Sequence, residues 1–216
     1  MTKKLVIFDC DGVLVDSEPI ANTLLCEAIN ALGYPITIAQ TKAQFVGRSM
    51  SDVMQLITQL TGATLPAGWL DQLQAQTYAA FEKQLAPVAH IACILEQLIE
   101  NRHPICVASS GSPEKIALSL RCTNLAAFFG DAVFSASMVA RGKPHPDLFL
   151  HAAREMGARP ADCIVVEDSL PGVTAARAAG MTVFAYAADP DADGDALHAA
   201  GGRLFHDMRE LPKLIA

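Results

Sequence analysis

Residues 6–19 read VIFDCDGVLVDSEP, which sets Asp9 and Asp11 one residue apart at the end of an apolar run, with Gly12 after them. Carboxylates this close repel, and each raises the other's pKa unless something positive holds them. A second acidic pair, Glu167 and Asp168, ends the apolar run of CIVVEDS. If the two runs are neighbouring strands, up to four carboxylates converge, and a hard divalent cation among them makes that tolerable. Oxygen donors without a nearby histidine or cysteine set favour Mg²⁺ over Zn²⁺. A plainer reading makes Asp9 and Asp11 turn formers before Gly12, and Asp168 the cap of a helix starting near Leu170. Two acidic pairs at two strand ends weigh against it.

Two further stretches belong in the same crevice beyond the strand ends by the same logic. CVASSGS puts Ser109 at the end of an apolar run, with Ser110, Gly111 and Ser112 behind it. A hydroxyl and backbone N–H groups there would bind phosphate oxygens, although a serine-rich loop before Pro113 also suits an ordinary helix start. ARGKPHPD holds Lys143 in a loop framed by Pro144 and Pro146, which suggests a positioned side chain where a lone lysine is usually solvated. His145 of that loop either touches phosphate or packs within the loop, and the second is favoured.

These groups need a frame. Leu5–Phe8, Ile105–Ala108, Ala132–Phe134, Ile164–Val166, Val183–Tyr186 and Arg203–Phe205 read as strands. The clearest are continuous apolar runs, as expected for a parallel sheet buried on both faces. Helical stretches alternate with them, which predicts an α/β, doubly wound, mainly parallel sheet. Residues 17–84 break the alternation and read as helical. Leu25, Ile29 and Leu32 share a face that Gly33 stops. Ser49 with Asp52 resembles a capping box, followed by an apolar stripe of Met50, Val53, Met54, Ile57 and Leu60 that Gly62 ends. The methionines are read as core. The expected organisation is residues 1–16 and 85–216 as the α/β core and residues 17–84 as a small helical insertion. Its hinges are expected near residues 14–17 and 83–88.

The chain has 216 residues, 51% of them hydrophobic and 18% charged, with a net charge of −7. That balance allows a sizeable core, and with no basic run it argues against nucleic acid or an anionic membrane as partner. No apolar stretch approaches a membrane span of roughly 20 residues, and the run after Lys3 and Lys4 is too short for a signal-peptide core. The six cysteines form no CxxC pair, so reduced thiols and a cytoplasmic protein are expected. DPDADGD, residues 189–195, imitates an EF-hand start, but its twelfth position is Ala200 instead of the required glutamate. It is read as a solvated acidic loop. ARGKP is no phosphate-binding Walker loop, because Pro144 stands where Ser or Thr would bind the metal.

In order and spacing, FDCDGVLVDSE, VASSG, GKPHPD and VVEDSLPGVTAARAAGM resemble the four motifs of the haloacid dehalogenase-like hydrolase superfamily. The chain is most similar to the phosphatase branch with a small helical cap, which includes β-phosphoglucomutase and 6-phosphogluconate phosphatase. The resemblance implies a Rossmann-like core with an inserted α-helical cap. It implies that Asp9 is a nucleophile forming an aspartyl-phosphate and Asp11 a general acid, then base. Ser109, Ser110 and Lys143 would bind the phosphoryl oxygens. Mg²⁺ would be held by Asp9, Asp168 and the backbone carbonyl of Asp11, with Glu167 binding directly or through water.

Asp11 argues against a dehalogenase, since those relatives lack an acid there. Ala21 and Met50 stand where β-phosphoglucomutases carry a histidine and an arginine, which favours hydrolysis over phosphosugar isomerisation. The expected function is hydrolysis of a small phosphorylated metabolite, such as a sugar or sugar-acid phosphate like 6-phosphogluconate. A phosphosugar mutase and a non-catalytic phosphate-ligand binder are the alternatives. Arg48 is either a substrate-specificity residue pairing with a carboxylate or a surface residue of the hinge loop. A monomer or weak homo-oligomer is expected, with no nucleic-acid or membrane partner.

Overall fold

Six apolar runs bounded by turn residues become one sheet. The computed structural model describes residues 3–45, 50–62 and 64–215. Strands β1 (Leu5–Phe8), β2 (Ile105–Ser109), β3 (Val133–Ser135), β4 (Cys163–Glu167), β5 (Thr182–Tyr186) and β6 (Arg203–Phe205) pair in the order β3-β2-β1-β4-β5-β6. Every pairing is parallel, so the doubly wound sheet read from the sequence is present. The helices in chain order are α1 (Glu18–Ala31), α2 (Ile38–Phe45), α3 (Met50–Thr61), α4 (Trp69–Gln84), α5 (Ile91–Glu100), α6 (Pro113–Cys122), α7 (Ala126–Phe129), α8 (Asp147–Glu155), α9 (Leu170–Ala178), α10 (Gly194–Ala199) and α11 (Leu211–Ile215).

The central strands β1, β2 and β4 are buried along their whole length, which explains their continuous apolar sequence. Successive residues face opposite sides. Leu5 and Ile7 join one core layer with Leu148, Phe149 and Ala152 of α8 and Val173 and Ala176 of α9. Phe8, on the other face, meets Phe129 of α7 edge to face at 6.3 Å. Both faces being covered, the sheet's chemistry is confined to its rim.

The chain divides into two compact units, Met1–Asp16 with Ala86–Ala216, and Ser17–Leu85. In the second unit Cys26 and Ile29 of α1, Phe45 of α2, Val53 and Ile57 of α3, and Trp69 and Leu73 of α4 share a core. Asn30 fixes the turn after α1. Its amide donates to the carbonyls of Cys26 (2.8 Å) and Ile36 (2.9 Å), and its Oδ1 accepts from the Ile36 N–H at 3.1 Å. Met50 is a correction: it is 46% exposed, not core. It is the first residue of α3, and spacing along a stripe does not show that an end residue overhangs. Arg48 and Ser49 lie outside the described residues.

The segments that lead out of the first unit and back into it are tied together inside that unit. Val15 bridges to Pro87. The Val88 N–H donates to the Leu14 carbonyl and the Asp16 N–H to the Ala86 carbonyl, each at 3.0 Å. Elsewhere, the 189–195 segment spends two of its acids on its own backbone. Asp189 accepts from the Asp191 N–H at 2.8 Å, and Asp193 caps α10 by accepting from the Ala196 N–H at 3.0 Å. Among the described residues no helix is long and apolar enough to cross a membrane.

Candidate active site

The strand order reverses at β1, with β2 and β3 on one side and β4 to β6 on the other. Ligands of open α/β sheets bind beyond the strand carboxyl ends at such a switch point. Phe8 pairs with Val166 in register, and the Asp9 N–H donates to the Val166 carbonyl at 3.0 Å. Asp9 and Glu167 are therefore brought level on neighbouring strands.

A lysine lies between them. Lys143 Nζ donates to Asp9 Oδ1 at 2.5 Å and to Glu167 Oε1 at 2.6 Å. The ammonium also lies over the Phe149 ring, 5.0 Å from its centroid, a favourable face for a cation. The peptide joining Lys143 to Pro144 is cis. Glu167 Oε2 accepts from the N–H groups of Asp168 (2.9 Å) and Ser169 (2.8 Å) and from Ser169 Oγ (2.8 Å). A Cβ on Gly172 would lie 1.7 Å from Glu167 Oε1, so this carboxylate fills space that only glycine leaves in the first turn of α9. The cap of α9 is Ser169, whose Oγ accepts from the Gly172 N–H at 3.2 Å, and not Asp168.

Up to four carboxylates are expected to converge at these strand ends. Among the described residues, no group of three His, Cys, Asp or Glu side chains is placed to hold a metal ion. Glu167 explains the difference, because one of its oxygens is engaged by Lys143 and the other by the loop after β4. Asp168 instead lies against the turn after β1. Gly12 has φ +74°, and a Cβ there would stand 1.9 Å from Asp168 Oδ2.

Asp11 has a lysine of its own, which the sequence reading missed. Lys115 Nζ donates to Asp11 Oδ2 at 2.8 Å. Lys115 is the third residue of α6, after the N-cap Ser112. A cation near a helix N-terminus opposes the helix dipole, and that oddity was the available signal. On β2, Ser109 is 1% exposed, and its Oγ accepts from the Gly111 N–H at 3.1 Å. Ser135 Oγ donates to the Gly111 carbonyl at 2.7 Å, which fixes the loop from below. Ser110 and His145 are exposed.

Burial is the largest influence on Asp9 and pushes its pKa up to about 7; Glu167 and Asp11 add to the rise and Lys143 opposes it. Burial alone would lower the two lysines, but the acids beside them raise both. Burial, then Asp11 and Asp9, push the Cys10 thiol well up, which disfavours its thiolate form. The arrangement offers a buried carboxylate held by a cation, a second carboxylate two residues on, and a hydroxyl with backbone N–H groups on the adjacent strand. That combination suits attack on, and proton delivery to, a phosphorus ester.

Known proteins resemble this chain over most of its length. Residues 3–180 match the model of the haloacid dehalogenase-like hydrolases. The chain is 31% identical over 186 residues to 6-phosphogluconate phosphatase of Escherichia coli, covering 86% of this chain and 83% of that one. It is 34% identical over 189 residues to a probable pseudouridine-5'-phosphatase of Drosophila melanogaster, covering 82% and 78%. A haloacid dehalogenase family hydrolase from Deinococcus radiodurans, solved with bound phosphate and sodium, superposes with a TM-score of 0.84 at 30% identity, covering 99% of this chain and 95% of that one. The sheet, its rim of acids and lysines, and these similarities agree: the chain belongs to the haloacid dehalogenase-like hydrolases and is an enzyme of their phosphatase branch.

Proposed function

We propose that the enzyme hydrolyses a small phosphorylated metabolite, a sugar or sugar-acid phosphate of the 6-phosphogluconate kind, through a phosphoryl group carried on Asp9. The observation that carries this reading is the acid pair at the end of β1, with Lys143 on Asp9 and Lys115 on Asp11. The Escherichia coli relative named for 6-phosphogluconate supports the substrate class.

In the first step an Asp9 carboxylate oxygen attacks phosphorus, and the bond from phosphorus to the ester oxygen breaks. Asp11 gives its proton to the departing alcohol oxygen. In the second step Asp11 takes a proton from water as that water attacks the acyl phosphate, which frees inorganic phosphate and restores the Asp9 carboxylate. Phosphoryl transfer asks mainly for positioning and for neutralising oxygen charge. Lys143 meets that need beside Asp9, and Ser109 and the backbone of its loop would hold the equatorial oxygens.

The oxygen donors present fit Mg²⁺. Asp9, Asp168 and the backbone carbonyl of Asp11 would hold it, and the Asp168 carboxylate lies against the turn that follows Asp11 because Gly12 has no Cβ in its way. Two carboxylates, a carbonyl and waters suit a cation that keeps part of its water shell. When bound, the cation would neutralise charge on the transferring group. Glu167 serves this site chiefly by anchoring Lys143.

The test is a phosphate-release screen over sugar and sugar-acid phosphates, with Mg²⁺ and after chelation. Free phosphate is expected from at least one of them, without accumulation of an isomeric sugar phosphate. The release is expected to stop with chelator and return with Mg²⁺. Full activity after exhaustive chelation would refute the metal assignment, and isomerisation without free phosphate would refute hydrolysis.

A further inference from the structure

We infer that Lys115 is a positioning residue that sets the direction of the Asp11 carboxylate for proton transfer. The inference rests on the proposed role of Asp11 as proton donor and acceptor. Lys115 lies 104 positions along the chain from Asp11, yet its Nζ donates to Asp11 Oδ2 at 2.8 Å. The contact is made by the fold, not by chain proximity. It is also made against local preference, since Lys115 occupies the first turn of α6, where the exposed N–H groups disfavour a cation. A lysine with no task there would be better replaced by an acid, as at the preceding Glu114.

The path of the side chain is confined. Its Cδ would stand 3.5 Å from a Cβ on Gly111, beside Ser109 Oγ and Ile116 Cγ1 at 3.4 Å from the same point. The lysine stem thus runs alongside the β2 loop, and its ammonium ends on the β1 turn. Lys143 is committed elsewhere, to Asp9 and Glu167. Each acid of the pair therefore has a different lysine, one from helix α6 and one from the loop before α8.

An aspartate's terminal torsion is broad, so an unguided carboxylate sweeps an arc. Proton transfer needs donor and acceptor about 2.6–3.2 Å apart, and a misplacement of about 1 Å can cost on the order of 10²-fold. A cation held on Oδ2 narrows the arc.

The experiment compares the wild type with Lys115→Met, Lys115→Arg and Asp11→Asn. kcat/KM is measured over phosphomonoesters whose leaving groups run from an activated phenol to a simple alcohol. Competitive inhibition by inorganic phosphate and thermal unfolding are followed alongside. Lys115→Met is expected to lose about 10- to 100-fold on alkyl phosphates and less than about 3-fold on the activated aryl ester, which needs no proton from Asp11. Lys115→Arg should recover most of the loss, and phosphate inhibition should not move. Equal losses across the series, no loss at all, or weakened phosphate inhibition would overturn the inference, the last by making Lys115 a substrate-binding group. If Asp11→Asn itself shows no leaving-group bias, the proton-transfer reading of Asp11 fails first, and that outcome is distinct from the others.

Discussion

Two acid–lysine pairs stand side by side on the rim of the sheet, made of the same groups and buried to different depths. In the Asp9 pair the side chains are 10% and 4% exposed for Asp9 and Lys143. Lys143 there has a second anchor in Glu167 and an aromatic face beneath it. In the Asp11 pair both side chains are 29% exposed. The proposed chemistry asks for this difference. The group that receives phosphorus must be fixed and dry, where charge interactions are strong. The group that trades protons with an alcohol and then with water must remain within water's reach.

Substitutions separate the two pairs, and the largest effect is expected at the buried one. Asp9→Asn should abolish phosphate release while the circular dichroism spectrum stays native, because the amide oxygen can still accept from Lys143. Turnover near the wild-type rate would remove Asp9 as nucleophile. Asp11→Asn should cost roughly 10²- to 10⁴-fold in kcat, the usual range for a general acid. An unchanged rate on an alkyl phosphate would erase the contrast between the two acids.

Smaller effects are expected from two glycines that touch the pairs indirectly. Gly172→Ala drives a methyl into the Glu167 carboxylate, 1.7 Å from Oε1, and so disturbs the second anchor of Lys143. It should destabilise the protein by about 1–3 kcal/mol, seen as a lowered unfolding midpoint, together with reduced turnover. Gly111→Ala places its methyl 3.5 Å from the Lys115 stem and 3.4 Å from its nearest neighbours. Its unfolding midpoint should stay close to that of the wild type. Equal destabilisation by the two variants would show that the buried pair is not the more tightly fitted.

Legibility in the sequence followed burial. All six strands were readable, the central β1, β2 and β4 most clearly because a strand covered on both faces must be apolar throughout, whereas edge strand β6 keeps two exposed residues. Their ends were less so: β2 runs on to Ser109 and β4 to Glu167, polar residues that keep the ladder while an apolar count stops short of them. Asp9 and Glu167 were singled out by type and by their place after apolar runs, and Lys143 by its proline-framed loop, and the fold does bring them together. The sequence could not show how Glu167 divides its oxygens, which is a matter of Lys143 and the β4 loop meeting in space. Lys115 escaped because a lysine on a helix usually faces solvent; only its place in the first turn was unusual. Met50 was misread because its spacing fits the stripe while its position at the helix start leaves it exposed.

The backbone tie between residues 14–16 and 86–88 bears on how such a chain can change over generations. Asp16 and Ala86 are joined by a 3.0 Å hydrogen bond, so the exit and re-entry points of Ser17–Leu85 are neighbours. Deleting that stretch leaves a gap that a short turn can span, and enlarging it adds no length to any connection within the sheet. Insertions are tolerated best where chain ends already lie close together at a surface. The stitch therefore works as a socket: what is plugged in there can be trimmed, enlarged or exchanged while the strands and their rim of acids and lysines keep one wiring.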